Sequence, residues 1–157
     1  MSTDPIRRDV LIAAPLDVVW RTVTAPEQIT RWFSDTAQLD LRPGGGGVLG
    51  FVGTSSGTPF TVPISVVDVD EPHRFAFRWM HPDGTAADED NSLLVEFTLT
   101  AEGEGTRLQV AESGLDRIGW TAEQVRAYTA EHEDGWGRHL RQLADLHSRQ
   151  PGVPAGR

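Results

Sequence analysis

His132 stands four residues after Tyr128 and four before Trp136, so on a helix all three share one face. An imidazole between two aromatic rings on an apolar stripe can hydrogen-bond a ligand or move a proton near neutral pH. The same placement also suits a structural histidine satisfied by a strand backbone, or one at a cavity mouth. Around it the chain supplies rings that could line or fill a cavity: Trp32, Phe51, Phe60, Phe75, Phe77, Trp79, Phe97, Trp120, Tyr128 and Trp136. Each ring removes ~150–250 Å² from water on burial. At ~25 cal/mol per Å² that is roughly 4–6 kcal/mol, an upper bound because the unfolded chain is not fully extended. Ligand pockets are themselves mostly apolar with few polar groups, so composition does not separate a lined pocket from a filled core. These rings and His132 are the candidate ligand-binding residues. Tyr128, His132, Arg78 and the Trp79 indole N–H are candidates for orienting a ligand.

Other chemistries find no support. The chain has no cysteine, which excludes disulfides, thiolate metal sites and a cysteine nucleophile. Asp88, Glu89 and Asp90, near His81 and Asp83, form an acidic loop that reads as solvated, since the Asp-x-Asp-x-Asp-Gly pattern of a calcium loop is absent. Gly44 to Gly47 is a turn and not a phosphate loop: no Lys-Ser/Thr follows it, and an extended segment does. Neither Gly-x-Ser-x-Gly nor His-Glu-x-x-His occurs. No catalytic residue, metal or cofactor is therefore expected. Arg78 and Glu96 read as outward residues of neighbouring strands that pair on the surface.

Composition bounds the class. The 157 residues suit one domain, and 38% hydrophobic residues with five Trp and six Phe describe a globular chain. A net charge of −9 argues against a general nucleic-acid binder and against an anionic membrane surface as partner. The polar start, Met1 to Pro5, lacks the apolar core of a signal peptide, and no run reaches the ~20 apolar residues of a membrane span. A cytoplasmic protein is expected.

The elements that must position these groups follow from periodicity. The C-terminal stretch from Thr121 to about His147 reads as one helix about 40 Å long. Thr121 and Gln124 make a capping box, and Val125, Tyr128, His132, Trp136, Leu140, Leu143 and His147 give an apolar stripe. Gly135 and Gly137 inside it cost roughly 1 kcal/mol each against alanine, which predicts close backbone approach to a sheet or a local kink. Pro151 and Gly152 end the helix. Ile6 to Ala13 reads as a strand. Pro15 suits the first position of a helix carrying Leu16, Val19, Trp20 and Val23, and Thr24 with Glu27 suggests a second capping box before Ile29, Trp32 and Phe33.

A strand-rich stretch follows. Thr36 to Leu41 is a short strand; Val48 to Gly53 and Phe60 to Asp70 form a hairpin, with Pro59 and Pro63 predicting an edge or bulge. Arg74 to Met80, Leu93 to Leu99 and Thr106 to Glu112 alternate, with Leu108 and Val110 inward on the last. Short turns imply antiparallel neighbours. Strands segregated from helices mean α+β.

In that order, several segments resemble the family named after the activator of the heat-shock-protein-90 ATPase, in the START-like (SRPBCC) superfamily. They are Val10 to Trp20, Thr24 to Glu27 with Trp32 and Phe33, the Gly44 to Gly47 turn, Val69 to Phe75, the strand ending at Trp79, and His132 to Trp136 followed by Leu140 and Leu143. The resemblance spans residues 5–148 and implies a single domain with a helix-grip fold: a curved antiparallel sheet of six or seven strands around the long C-terminal helix, with a cavity between them. Residues 149–157 are expected to be a frayed tail. The implied function is binding of a hydrophobic or amphipathic small molecule, a lipid or an aromatic metabolite, in that cavity. The alternatives are a polyketide cyclase or aromatase-like enzyme using His132 and Tyr128 as acid and base, and an interaction module accessory to a chaperone in stress response. A homodimer through free sheet edges is a further expectation.

Overall fold

The computed structural model describes residues 5–52, 57–82 and 84–148. The expected frayed tail at 149–157, the helix stop at Pro151 and Gly152, residues 53–56 of the hairpin loop, and Asp83 lie outside the described residues.

Along the chain the elements are β1 (Ile6–Ile12), α1 (Leu16–Thr24), α2 (Pro26–Ile29), β2 (Thr36–Leu39), β3 (Gly46–Val52), β4 (Pro59–Asp70), β5 (Arg74–Trp79), β6 (Leu93–Glu102), β7 (Gly105–Ser113) and α3 (Ala122–Ser148). The seven strands form one antiparallel sheet in the order β1-β7-β6-β5-β4-β3-β2. β1 and β2 are its free edges, and the fold is the α+β helix-grip expected from the sequence. Strand alternation builds the concave face: Leu93, Val95, Phe97 and Leu99 on β6, and Thr106, Leu108 and Val110 on β7, are all buried. β1 lies against α3.

α3 begins as its capping box requires. The Thr121 backbone N–H donates to Gln124 Oε1 at 2.9 Å, and the Gln124 N–H donates to Thr121 Oγ1 at 3.1 Å. Its apolar stripe is not uniformly covered. Trp136, Leu140, Leu143 and His147 are buried, while Val125, Tyr128 and His132 are half-buried. The C-terminal half therefore holds the helix down, and the N-terminal half borders open space.

Several local expectations change in the structure. Pro15 is the N-cap of α1 and not its first helical residue. Thr24 closes α1, donating to the Trp20 carbonyl at 2.8 Å, so α2 is capped by Ala25 with no side-chain bond. Glu96 pairs with Arg74, which also holds Asp68, whereas Arg78 reaches Ser92 Oγ and the Asp88 carbonyl at 3.4 Å. The reason is register: Glu96 lies opposite Ala76, so arginines two residues away on either side compete for it.

β4 is interior, with its bulge between Val66 and Asp68. Pairing with β5 begins only at Ser65, however, so the segment holding Pro59 and Pro63 has a neighbour on one side alone. That half-edge is where proline's missing N–H costs nothing. The glycine turn is sterically required at two points: a Cβ on Gly45 would sit 2.2 Å from the Asp40 carbonyl oxygen, and one on Gly47 2.5 Å from the Gln38 carbonyl oxygen.

If the C-terminal half of α3 carries the packing, Leu143→Ala should lower unfolding free energy by about 2–5 kcal/mol in denaturant titration. Leu11→Ala, at a residue 49% exposed, should change it by under about 0.5 kcal/mol. Similar losses for both would refute this picture of the packing.

Candidate functional site

On β7 the alternation that buries Thr106, Leu108 and Val110 carries on to Glu112, which is 0% exposed. A buried, unpaired carboxylate is costly, so its hydrogen bonds must be accounted for. Oε2 accepts from Trp79 Nε1 at 2.8 Å and from the Tyr128 hydroxyl. Oε1 accepts from Trp136 Nε1 at 2.9 Å and from His132 Nδ1 at 3.0 Å. Each oxygen thus has two donors; one donor reaches across β6 from β5 and three come from α3. Tyr128, His132 and Trp136 meet at the carboxylate because they stand one turn apart on a single helix face. The His132 ring also stacks on Tyr128, with centroids 3.7 Å apart.

Electrostatics follow from this geometry. Burial pushes the Glu112 carboxyl up, but the hydrogen bond from His132 and its charge when protonated, with the bonds from Tyr128 and Trp136, outweigh it and hold the group below the usual carboxylate range. Burial, together with the facing Glu112 charge, pushes the Tyr128 phenol far up, so it stays a neutral donor. An ionised carboxylate can only accept, so His132 Nδ1 carries the hydrogen and Nε2 is left for other partners. An imidazole held this way can accept a proton or a hydrogen bond at Nε2.

The space between sheet and helix is almost filled. Trp32, Phe75, Phe77 and Phe97, with Phe33, Ile64 and their neighbours, enclose only about 10 Å³, room for about one water. Trp32 is locked there by its Nε1 donating to the Thr22 carbonyl at 2.8 Å. Open space lies outside this interior, in a cleft of about 580 Å³ between the half-edge of β4, the end of β5 and the middle of α3, and in a groove of about 720 Å³ beside the start of α3. Phe33, Phe51, Phe60, Val62, Trp79, Met80 and Trp136 supply the apolar wall of the cleft, and Asp35, Glu131, His132, Arg138 and His139 its polar groups. Phe33 joins core and cleft, stacking on Trp32 and on Trp136 at 5.2 Å each. Met80, just past the end of β5, has a φ of 68°, a left-handed conformation rarely adopted outside glycine.

His139 repeats the pattern of His132: its Nδ1 donates to the Trp32 carbonyl at 3.1 Å. Burial lowers its basicity, against the opposing pull of that carbonyl. Gly135 lies between the two histidines and also lines the cleft. Neither helix glycine is there for close packing. A Cβ on Gly135 would touch only Arg138 Nη2, at 3.8 Å, and one on Gly137 only Arg141 Nη1 and Arg8 Nε, at 3.5 and 3.9 Å. α3 also runs unbroken from Ala122 to Ser148, so the expected close approach or kink is replaced by open space.

Of the candidates from sequence, the cleft gathers Phe51, Phe60, Trp79, His132 and Trp136. Trp32, Phe75, Phe77 and Phe97 lie in the closed interior. Tyr128 serves Glu112. Trp120 packs on Tyr128 at 5.0 Å and lines a separate groove beside the start of α3. Arg78 lies away from the cleft, and the Trp79 N–H and Tyr128 O–H are consumed by Glu112. Sequence reasoning missed Glu112, although the alternation that placed Leu108 and Val110 inward also placed this carboxylate there. It also missed Phe33 and His139 as cleft residues. His139 is seven residues beyond His132, hence on the same helix face, and that spacing was available.

Residues 13–148 match the family described as Activator of Hsp90 ATPase homolog 1-like protein. Among solved structures, protein NE0264 from Nitrosomonas europaea is similar at 21% identity, covering 96% of this chain and 97% of that one, with a TM-score of 0.75. CalU16 from Micromonospora echinospora is similar at 27% identity, covering 91% and 74% of the two chains, with a TM-score of 0.61. DynU16, a protein in the dynemicin biosynthetic locus, is similar at 28% identity, covering 90% of this chain and 47% of that one, with a TM-score of 0.66. No curated protein matches the chain. Among the described residues no helix is long and apolar enough to cross a membrane.

Glu112→Gln exchanges one acceptor oxygen for an amide that faces two donors, and should cost about 3–5 kcal/mol. The carboxyl is held below its unfolded value of about 4.3. Its contribution is therefore fully present above that pH and lost as pH falls through the folded value. Urea unfolding of both proteins from about pH 7 to pH 3 should show the gap between them narrowing on the acid side. A constant gap, or none, would contradict an ionised Glu112.

Proposed function

The chain belongs to the Activator of Hsp90 ATPase homolog 1-like family, and from that premise we propose that it binds a hydrophobic or amphipathic small molecule in the cleft between the end of the sheet and the middle of α3. The observation that carries this reading is the contrast between an interior of about 10 Å³ and a cleft of about 580 Å³. The second value lies within the ~300–1,000 Å³ usual for small-molecule pockets. The composition of the cleft also supports the reading: an apolar wall with a few polar groups converging on it. Phe60, stacked on Phe51 at 5.6 Å, is 51% exposed. A ligand would cover that ring, and apolar contact there would supply affinity while the histidines supply orientation.

Native mass spectrometry of protein purified from its own host, followed by organic extraction, tests this. The expected result is a stoichiometric small molecule. In Phe60→Ala its retention should fall about tenfold, the loss of roughly 1.4 kcal/mol, with the melting temperature nearly unchanged because the ring is half exposed. A clean apo mass, with no thermal shift across a panel of lipids and aromatic metabolites, would overturn the reading.

A further inference from the structure

The two histidines bordering the cleft are restrained alike. Each spends Nδ1 on a group that can only accept: the Glu112 carboxylate for His132, the Trp32 carbonyl for His139. In each neutral ring Nδ1 therefore carries the hydrogen and Nε2 the lone pair. Among the described residues the one buried side-chain nitrogen or oxygen without a partner is His81 Nδ1. Nε2 of His132 and of His139 makes no hydrogen bond and is not fully buried, and both residues line the cleft. Seven residues separate the two rings, which places them on one helix face about 10 Å apart along the axis.

Between them Gly135 leaves the helix backbone bare, with no neighbour near enough to require it. Phe51 and Phe60, stacked at an interplanar angle of 25°, line the same cleft. The charges at the border are Asp35, Glu131 and Arg138, the last tied to Asp134 at 3.1 Å, so the cleft offers an anion no unpaired cation. No group of three or more metal-binding side chains occurs among the described residues, which separates this pair from a metal site.

We propose that the cleft selects a flat, uncharged, fused-ring aromatic bearing a hydroxyl or N–H donor at each end. One donor goes to His132 Nε2 and the other to His139 Nε2, and the rings lie over Gly135 against Phe51 and Phe60. This rests on the binding reading above and narrows it: two acceptors at fixed spacing demand two donors, a bare backbone between them demands a flat body, and the border acids disfavour a carboxylate or phosphate.

Calorimetric titration with three probes tests it: dihydroxynaphthalene with hydroxyls at opposite ends, its dimethyl ether, and laurate. The diol should bind about tenfold tighter than the ether, which keeps the rings but cannot donate, and laurate should be the weakest. His132→Asn and His139→Asn each keep an N–H near the Nδ1 position and remove the Nε2 acceptor. Each should cut the diol's advantage over the ether several-fold. Gly135→Val should abolish binding of both aromatic probes while melting at or above the wild-type temperature. Equal affinity for diol and ether, tighter binding of laurate, or unchanged diol binding in either asparagine variant or in Gly135→Val would overturn this ligand class and leave the binding reading standing. If no probe binds and the wider panel also fails, the binding reading falls and this inference with it.

Discussion

A carboxylate without solvent must be satisfied from within, and Glu112 imposes that condition on the elements around it. Its four donors come from the end of β5 and from one face of α3. Leu140 and Leu143 hold the helix to the sheet through apolar contact, which is non-directional and would tolerate some roll about the axis. Three hydrogen bonds from residues one turn apart do not tolerate it. The buried charge therefore sets the phase of α3 and, through it, which side chains face the cleft.

The division between closed core and open cleft has a simple origin in strand length. β4 has twelve residues and β5 six. Beyond Trp79 the chain turns away at Met80 in a left-handed conformation that a non-glycine residue adopts at a cost of about 1 kcal/mol or more. Phe60 and Val62 then have no strand beside them on that side, and the inner face they contribute is left uncovered. The large rings behind Phe33 have no such gap and pack to near-solid density. One aromatic-rich sheet thus serves as core along most of its length and as a cleft wall at one end.

Much of this was legible in the sequence, and the exceptions have physical reasons. The Thr121–Gln124 capping box, the seven strands and the His132 stripe follow from local spacing, which backbone geometry enforces. Which rings fill and which line was not legible, because Phe77 and Phe60 obey the same alternation and differ only in what lies beside them across the sheet. Arg78 and Glu96 looked like partners because both point outward, yet register gave Glu96 to Arg74. Glu112 was legible and was passed over. A charged residue at an inward strand position is informative because its burial demands partners, and Tyr128, His132 and Trp136 are the partners that helical spacing already grouped. Gly135 was read through packing, the commonest reason for a helix glycine, whereas here it borders open space.

The central claim is that an ionised Glu112 holds His132 by Nδ1 and leaves Nε2 to the cleft. Nitrogen-15 correlation spectra of the histidine side chains report the tautomer of His132 directly. The account predicts the Nδ1–H form, with Nε2 showing the shift of an unprotonated nitrogen. An Nε2–H form would mean that Glu112 does not anchor the ring, and the assignment of the cleft's acceptor would be wrong.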